Sequence, residues 1–286
     1  MFCDTIATWG VATMPENIKT LGESSSRLLS QLAVEGRRIF TFSDAGRILQ
    51  RKGSDVRWLL STLVKRRWLR RLEKGKYLVL PLEAGLEGQW AVHEFVIASH
   101  LIQPGYVGYR SALNFYGYTE QVSRTVLVAS TRRKRPVEID GTTYRFVLLP
   151  PRKFFGYGPM LIDDVPVNVS TRAKTMVDCL DHVEYSGGIT EVAKALWLSK
   201  EEVDPRDIVD GAVKMGNQAV VQRLGYLLET LELAPPALLE STRRHISGSY
   251  AVLDPLGPRR GRYDSRWRVR VNVKPEALRA AVALQT

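Results

Sequence analysis

Residues 64–81 read VKRRWLRRLEKGKYLVLP, with Lys65, Arg66, Arg67, Arg70, Arg71, Lys74 and Lys76 packed around a few apolar side chains. Such a stretch fits a solvated charged face, a membrane-surface patch or one edge of a nucleic-acid module, and its surroundings decide among them. From Arg47 to Lys76 there are eleven Lys or Arg and two acids, Asp55 and Glu73, a net of +9. The 286-residue chain carries +11 in all, so the remaining 256 residues share only +2. Charge spread evenly would indicate solubility and nothing more. Concentrated in this way, it marks a face for a polyanion.

The neighbouring residues supply an architecture for that face. Ser24, Ser25 and Ser26 are candidate caps for a helix whose Leu28, Leu29, Leu32 and Ala33 form one apolar stripe. Ile39, Phe40 and Phe42 make a short extended run, and Ser43 caps a second helix with Ala45, Ile48 and Leu49 inward. Lys52-Gly53 breaks it, and Ser54 caps a third helix in which Val56, Leu59, Leu60 and Leu63 recur at helical spacing. This is the helix-turn-helix order. With the stripe inward, Ser54, Arg57, Trp58, Ser61, Thr62 and Lys65 lie on or beside the opposite face. Arg57, Ser61 and Thr62 are the candidates for reading base edges in a major groove. Trp58 fits either a base or sugar contact or packing over the helix end.

Trp68-Leu69-Arg70-Arg71-Leu72 then alternates as a half-buried strand does, Glu73-Lys74-Gly75-Lys76 is a turn, and Tyr77-Leu78-Val79-Leu80 returns. A hairpin directly after a recognition helix is a wing, whose tip lysines, Lys74 and Lys76, would reach phosphates or the minor-groove edge. Winged helices also act as protein adaptors, but the charge concentration favours nucleic acid. A membrane surface is disfavoured, because the apolar side chains are needed for the small core.

The expected organisation is an extension over 1–23, a winged helix-turn-helix domain over 24–82, and a larger mixed α+β domain over 90–286. In the last, strands and helices fall in separate runs, which argues for α+β rather than a doubly wound sheet. Asp140-Gly141 and Asp163-Asp164 mark two hairpins. Helices follow over 171–182, 189–198, 205–215, 217–231 and 235–245, then strands over 250–253 and 267–273 and a final helix from Pro275. No apolar run approaches the ~20 residues that span a bilayer. The opening MFCDTIATWG has no basic leader before an apolar core, and Cys3 and Cys179 show no metal-ligand spacing, which together predict a cytoplasmic, reducing location.

Catalytic patterns are sparse. There is no phosphate-binding glycine loop, zinc-protease HExxH or nucleophile-elbow GxSxG. His93 and His100 could share a helix face, although satisfied surface histidines explain them better than metal ligands. Asp178, Asp181 and His182 lack a second cluster to work with. Arg132-Arg133-Lys134-Arg135 and the run from Arg259 to Arg270 are further basic patches, the latter with alternating arginines in WRVRVNV. No cofactor, metal site or enzymatic activity is expected. Two alternatives stay open: a ligand-sensing winged-helix regulator, and a nuclease or transferase directed to nucleic acid.

FTFSDAGRILQRKGSDVRWLLSTLVKRRWLRRLEKGKYLVLP, YRSALNFYGYTEQ, VSTRAKTMVDCLDHVEYSGGITEVAKAL and NQAVVQRLGYLLETL, taken in order, resemble the AbiEi antitoxins. These are the transcriptional-repressor half of AbiE-type, type IV toxin-antitoxin systems. The resemblance runs from about Ser24 to Val273. It implies that the N-terminal domain binds double-stranded DNA at promoter repeats of its own operon and represses it. It also implies a C-terminal domain that opposes a cognate nucleotidyltransferase-like toxin.

Overall fold

In the computed structural model, residues 21–84 and 91–284 are described. The chain divides into two compact units, Met1–Ala91 and Val92–Thr286. The expected 1–23 extension thus falls largely outside the described residues, as do residues 85–90 around the start of the expected second domain.

The first unit begins with α1 (Glu23–Val34), which starts after Gly22 without a side-chain cap, so the three serines lie within the helix. Leu28 and Leu32 are buried while Ala33 is exposed. Strand β1 (Ile39–Thr41) leads into α2 (Phe42–Leu49). The cap of α2 is Thr41, not Ser43. Thr41 donates through N–H and Oγ1–H to Asp44 Oδ2 at 2.8 and 2.7 Å, and Asp44 N–H donates back to Thr41 Oγ1 at 3.2 Å. This reciprocal box satisfies two otherwise orphaned groups at the helix start. Gln50 ends α2 in a left-handed conformation, and Gly53 at φ +68 precedes α3 (Ser54–Lys65). Ser54 is therefore the first helical residue rather than the cap.

Strands β2 (Leu69–Glu73) and β3 (Lys76–Val79) close the unit as a hairpin, and the sheet order is β1-β3-β2 with antiparallel pairing throughout. Phe40, Leu69 and Tyr77 join Leu28, Leu32, Ala45, Ile48, Val56, Leu60 and Leu63 in one core. Ile39, Leu72 and Leu78 are also buried but lie outside that cluster. The hairpin is consequently not half-buried as its alternation suggests: apolar residues are covered on both faces. A bulge between Arg71 and Glu73 interrupts the pairing next to the turn.

The second unit is mixed α+β. Its sheet combines β4 (Tyr106–Val107), β5 (Thr125–Ser130), β6 (Val137–Ile139), β7 (Thr142–Leu148), β8 (Tyr157–Ile162) and β9 (Val165–Ser170) in the order β6-β7-β5-β4-β9-β8. Pairings β5–β7 and β4–β9 are parallel and the others antiparallel. The hairpin turns fall at Asp140-Gly141 and Asp163-Asp164, all four at positive φ. Leu127 and Ala129 of β5 face the main core, and Val126 and Val128, also buried, face away from it. Helix α4 (Glu94–Leu101) packs on β4, β5 and β9. On β8, the outermost strand, Pro159 stands opposite Asn168 and Leu161 opposite Pro166.

The main core fills the space among the sheet, α5 (Tyr109–Phe115), α6 (Arg172–Asp181), α7 (Ile189–Leu198), α8 (Pro205–Met215), α9 (Gln218–Thr230) and α10 (Pro236–Arg243). A second sheet of β10 (Ala251–Val252), β11 (Arg262–Asp264) and β12 (Val269–Val271) packs on α9, and α11 (Pro275–Ala283) packs on α7. Trp267 is fully buried, and a methyl at Gly225 of α9 would overlap its ring. Close approach of helix and sheet here requires glycine. No helix among the described residues is long and apolar enough to cross a membrane.

Candidate nucleic-acid interface

Helix α3 is amphipathic in the sense that matters for docking. Val56, Leu60 and Leu63 are buried, whereas Ser54, Arg57, Trp58, Ser61 and Lys65 are exposed. At about 100° per residue those five fall within an arc of roughly 100°, opposite the buried stripe, with Thr62 half-buried at its border. The twelve residues of α3 give a rod of about 18 Å. Trp58 is 70% exposed, so it does not pack over the helix end. A large aromatic side chain held in water has lost burial free energy and is available to a partner.

Charges around α3 separate into two groups. Arg37 and Arg47 are tied to acids: Arg37 Nη2 lies 2.9 Å from Asp44 Oδ2, and Arg47 Nη2 is 3.7 Å from Glu35 Oε2 and 3.8 Å from Asp44 Oδ1. Burial alone would raise the Asp44 carboxyl, but hydrogen bonds from Arg37 and Thr41 outweigh it and lower its pKa to about 2. Arg47, though part of the +9 stretch, is thus neutralised. Arg51, Lys52, Arg57, Lys65 and Lys74 are exposed and have no ion pair among the described residues. Arg51 and Lys52, in the turn before α3, extend the basic surface. The charge count included them, but the reading of helix and hairpin gave them no role.

The other candidates spread over the helix end and hairpin. Arg66, Arg67 and Arg71 are exposed and Arg70 is half-buried. Arg67 takes a positive φ of 57° directly after α3, which turns the chain into β2. Arg71 Nε donates to the Glu73 carbonyl at 3.4 Å. Lys76 Nζ pairs with Glu73 Oε1 at 2.9 Å, so Lys74 is the more available cation of the hairpin tip.

In the second unit Asp178, Asp181 and His93 are engaged in structure. Lys174 and Asp178, one turn apart on α6, form a fully buried ion pair, and Tyr106 OH donates to Asp178 Oδ2 at 2.9 Å while accepting from Lys174 Nζ at 2.9 Å. Burial raises the Asp178 pKa despite Lys174 and Tyr106. Burial would also raise Asp181, but Lys153 at 2.7 Å and Asn217 hold it below the usual range. Asp178 and Asp181 therefore hold α6 to its neighbours. His93 caps α4, its Nδ1 accepting from Phe95 N–H at 3.1 Å. Among the described residues no group of three His, Cys, Asp or Glu could hold a metal ion. A depression of about 760 Å³ near β9 is lined by polar Ser99, His100, Gln103, Arg132 and Asn168 together with apolar Pro104, Val165 and Pro166.

No known family model matches this sequence, and no curated protein matches it. The fold is similar to the crystal structure of the RV2827C protein from Mycobacterium tuberculosis, with a TM-score of 0.65 over 92% of this chain and 96% of that one. Sequence identity is 14%, so the likeness is one of fold.

Proposed function

We propose that the first unit is a winged helix-turn-helix module that binds double-stranded DNA through α3 and the β2–β3 hairpin. The observation that carries this reading is the outer stripe of α3, where Arg57, Trp58, Ser61 and Lys65 stand exposed opposite a buried apolar stripe. A helix of this width enters a major groove, where Arg57, Ser61 and Thr62 would meet base edges. Ser54 and Trp58 would lie at the groove wall. Lys65, Arg66, Arg67, Arg70, Arg71, Lys74 and Lys76 would set the module on phosphates.

Together with the AbiEi resemblance, this supports a non-catalytic antitoxin that represses its own operon and counteracts a nucleotidyltransferase-like toxin. The direct test is anisotropy of labelled duplexes from the region upstream of its gene, titrated at several salt concentrations. With about six phosphates neutralised, log affinity falls against log salt with a slope near −5; a slope near zero would sink the DNA assignment. The antitoxin half is tested by co-expression with the neighbouring reading frame, where rescue of growth is expected. Incubation of labelled DNA with Mg²⁺ is expected to leave it intact.

A further inference from the structure

The small β10–β12 sheet carries an exposed surface that the proposed operator contact does not use. Val269 and Val271 of β12 point into the core, so Arg270 between them leaves by the other face, while Arg268 is exposed in the turn before the strand at φ +50. Tyr263 of β11 is directly opposite Arg270 in the antiparallel ladder, and its side chain leaves by that same face. Tyr250 immediately precedes β10, on the far side of β12. The two tyrosine rings nevertheless meet edge to face at 5.0 Å, closing over the central strand. They remain 43% and 60% exposed.

Arginines frame this pair. Arg259, Arg260 and Arg262 are exposed and have no ion pair among the described residues. Asn272 Nδ2 donates to the carbonyls of Asp254 and Pro258 at 2.8 and 2.9 Å, which fixes the loop delivering Arg259 and Arg260 to β11. Arg268 Nη1 donates to the Gly248 carbonyl at 2.8 Å, and Arg270 Nε is buried with no hydrogen-bond partner among the described residues. Arg266 is not part of the surface: it pairs with Glu229 at 3.0 Å and Glu240 at 2.7 Å.

We propose that this face binds a single-stranded polynucleotide, its bases stacking on Tyr250 and Tyr263 and its phosphates meeting Arg259, Arg260, Arg262 and Arg268. Charge selects a polyanion, and exposed aromatic rings on a sheet face select one with free π-faces. A duplex hides those faces within its stack. An acidic peptide would use the arginines but leave the rings without a matching partner.

The test uses the full chain at about 0.15 M salt with labelled oligonucleotides of about 12 nucleotides, one DNA and one RNA of matched sequence. Binding of at least one is expected, and the tighter of the two identifies the sugar preferred. Tyr250→Ala and Tyr263→Ala should each weaken it about fivefold or more, with Tyr263→Phe close to the native protein. Arg57→Ala should leave single-strand binding unchanged, and the tyrosine variants should leave duplex affinity unchanged, so failure here is separable from failure of the operator assignment. Ultraviolet crosslinking of the unaltered protein should map to residues 250–270. Crosslinks confined to residues 51–76, tyrosine variants that bind as the native protein does, or displacement of the oligonucleotide by polyglutamate through the same tyrosines would overturn the proposal.

Discussion

The backbone N–H of Phe42 donates to the Gly75 carbonyl at 2.8 Å, tying the tip of the β2–β3 hairpin to the first turn of α2. The hairpin is thereby positioned by the helical part of its unit as well as by its own strands. Gly75 is at φ +81, where an L side chain is strained. Gly75→Ala is expected to lower the stability of the first unit by about 1 kcal/mol, measured by urea unfolding. It should also weaken duplex binding by shifting Lys74.

Substitutions along α3 should separate into two kinds. On the proposed DNA reading, Arg57→Ala should remove a base contact, cost about 1–3 kcal/mol of discrimination and relax preference at one base pair. On the same reading, Lys65→Ala should remove a phosphate contact, weaken all sequences alike and reduce the salt slope by about 1. Salt titrations on matched and scrambled duplexes distinguish them. The assignment fails if the two variants behave identically.

Asp44 makes the first unit sensitive to acid. Its folded pKa is lowered to about 2 from an ordinary value of 3.8. A depressed pKa means stability that is present above pH 4 and lost as pH falls through the window from about 4 to 2. Because Asp44 is partly open to water, the size is on the order of 1 kcal/mol, similar to a lost helix cap. Asp44→Asn should flatten this part of the pH–stability curve, followed by circular dichroism of the full chain.

Lys174 and Asp178 give a sharper expectation. Lys174→Ala strands the Asp178 carboxylate in the core and should cost about 3–5 kcal/mol. The double change Lys174→Met with Asp178→Leu should recover much of that loss. Thermal melts of both variants check this, and a double variant no better than the single one would show that the pair does more than neutralise itself.

Much of this fold is legible where local chemistry dictates it. Asp140-Gly141 announces its hairpin because both residues tolerate positive φ, and the apolar stripe of α3 defines its outer face. The caps are less legible. Thr41, Ser43 and Ser54 offer similar hydroxyls, and only the path of the chain decides which oxygen meets a free N–H. Strand β11, with exposed Arg262 and Tyr263, has no apolar signature and exists by pairing with β12. Nothing in the sequence marks Lys174 and Asp178, one helical turn apart, as a buried pair, since Tyr106, their shared partner, comes from a distant strand. The arginines of WRVRVNV were expected on one face. Of these only Arg270 lies within β12; Arg268 stands in the preceding turn at φ +50, and Arg266, before the motif, is held by Glu229 and Glu240.

Proline on strand β8 has a consequence for how this molecule behaves in company. Pro166 cannot donate, so Leu161 and its neighbour at every second position of β8 aim their amides at the open margin. At the midpoint of that margin stands Pro159, which has no amide hydrogen to offer. A foreign strand approaching there meets a gap in the row of donors it would need. The β8 edge of the principal sheet thus carries its own terminator, which discourages strand addition on that side even at high protein concentration.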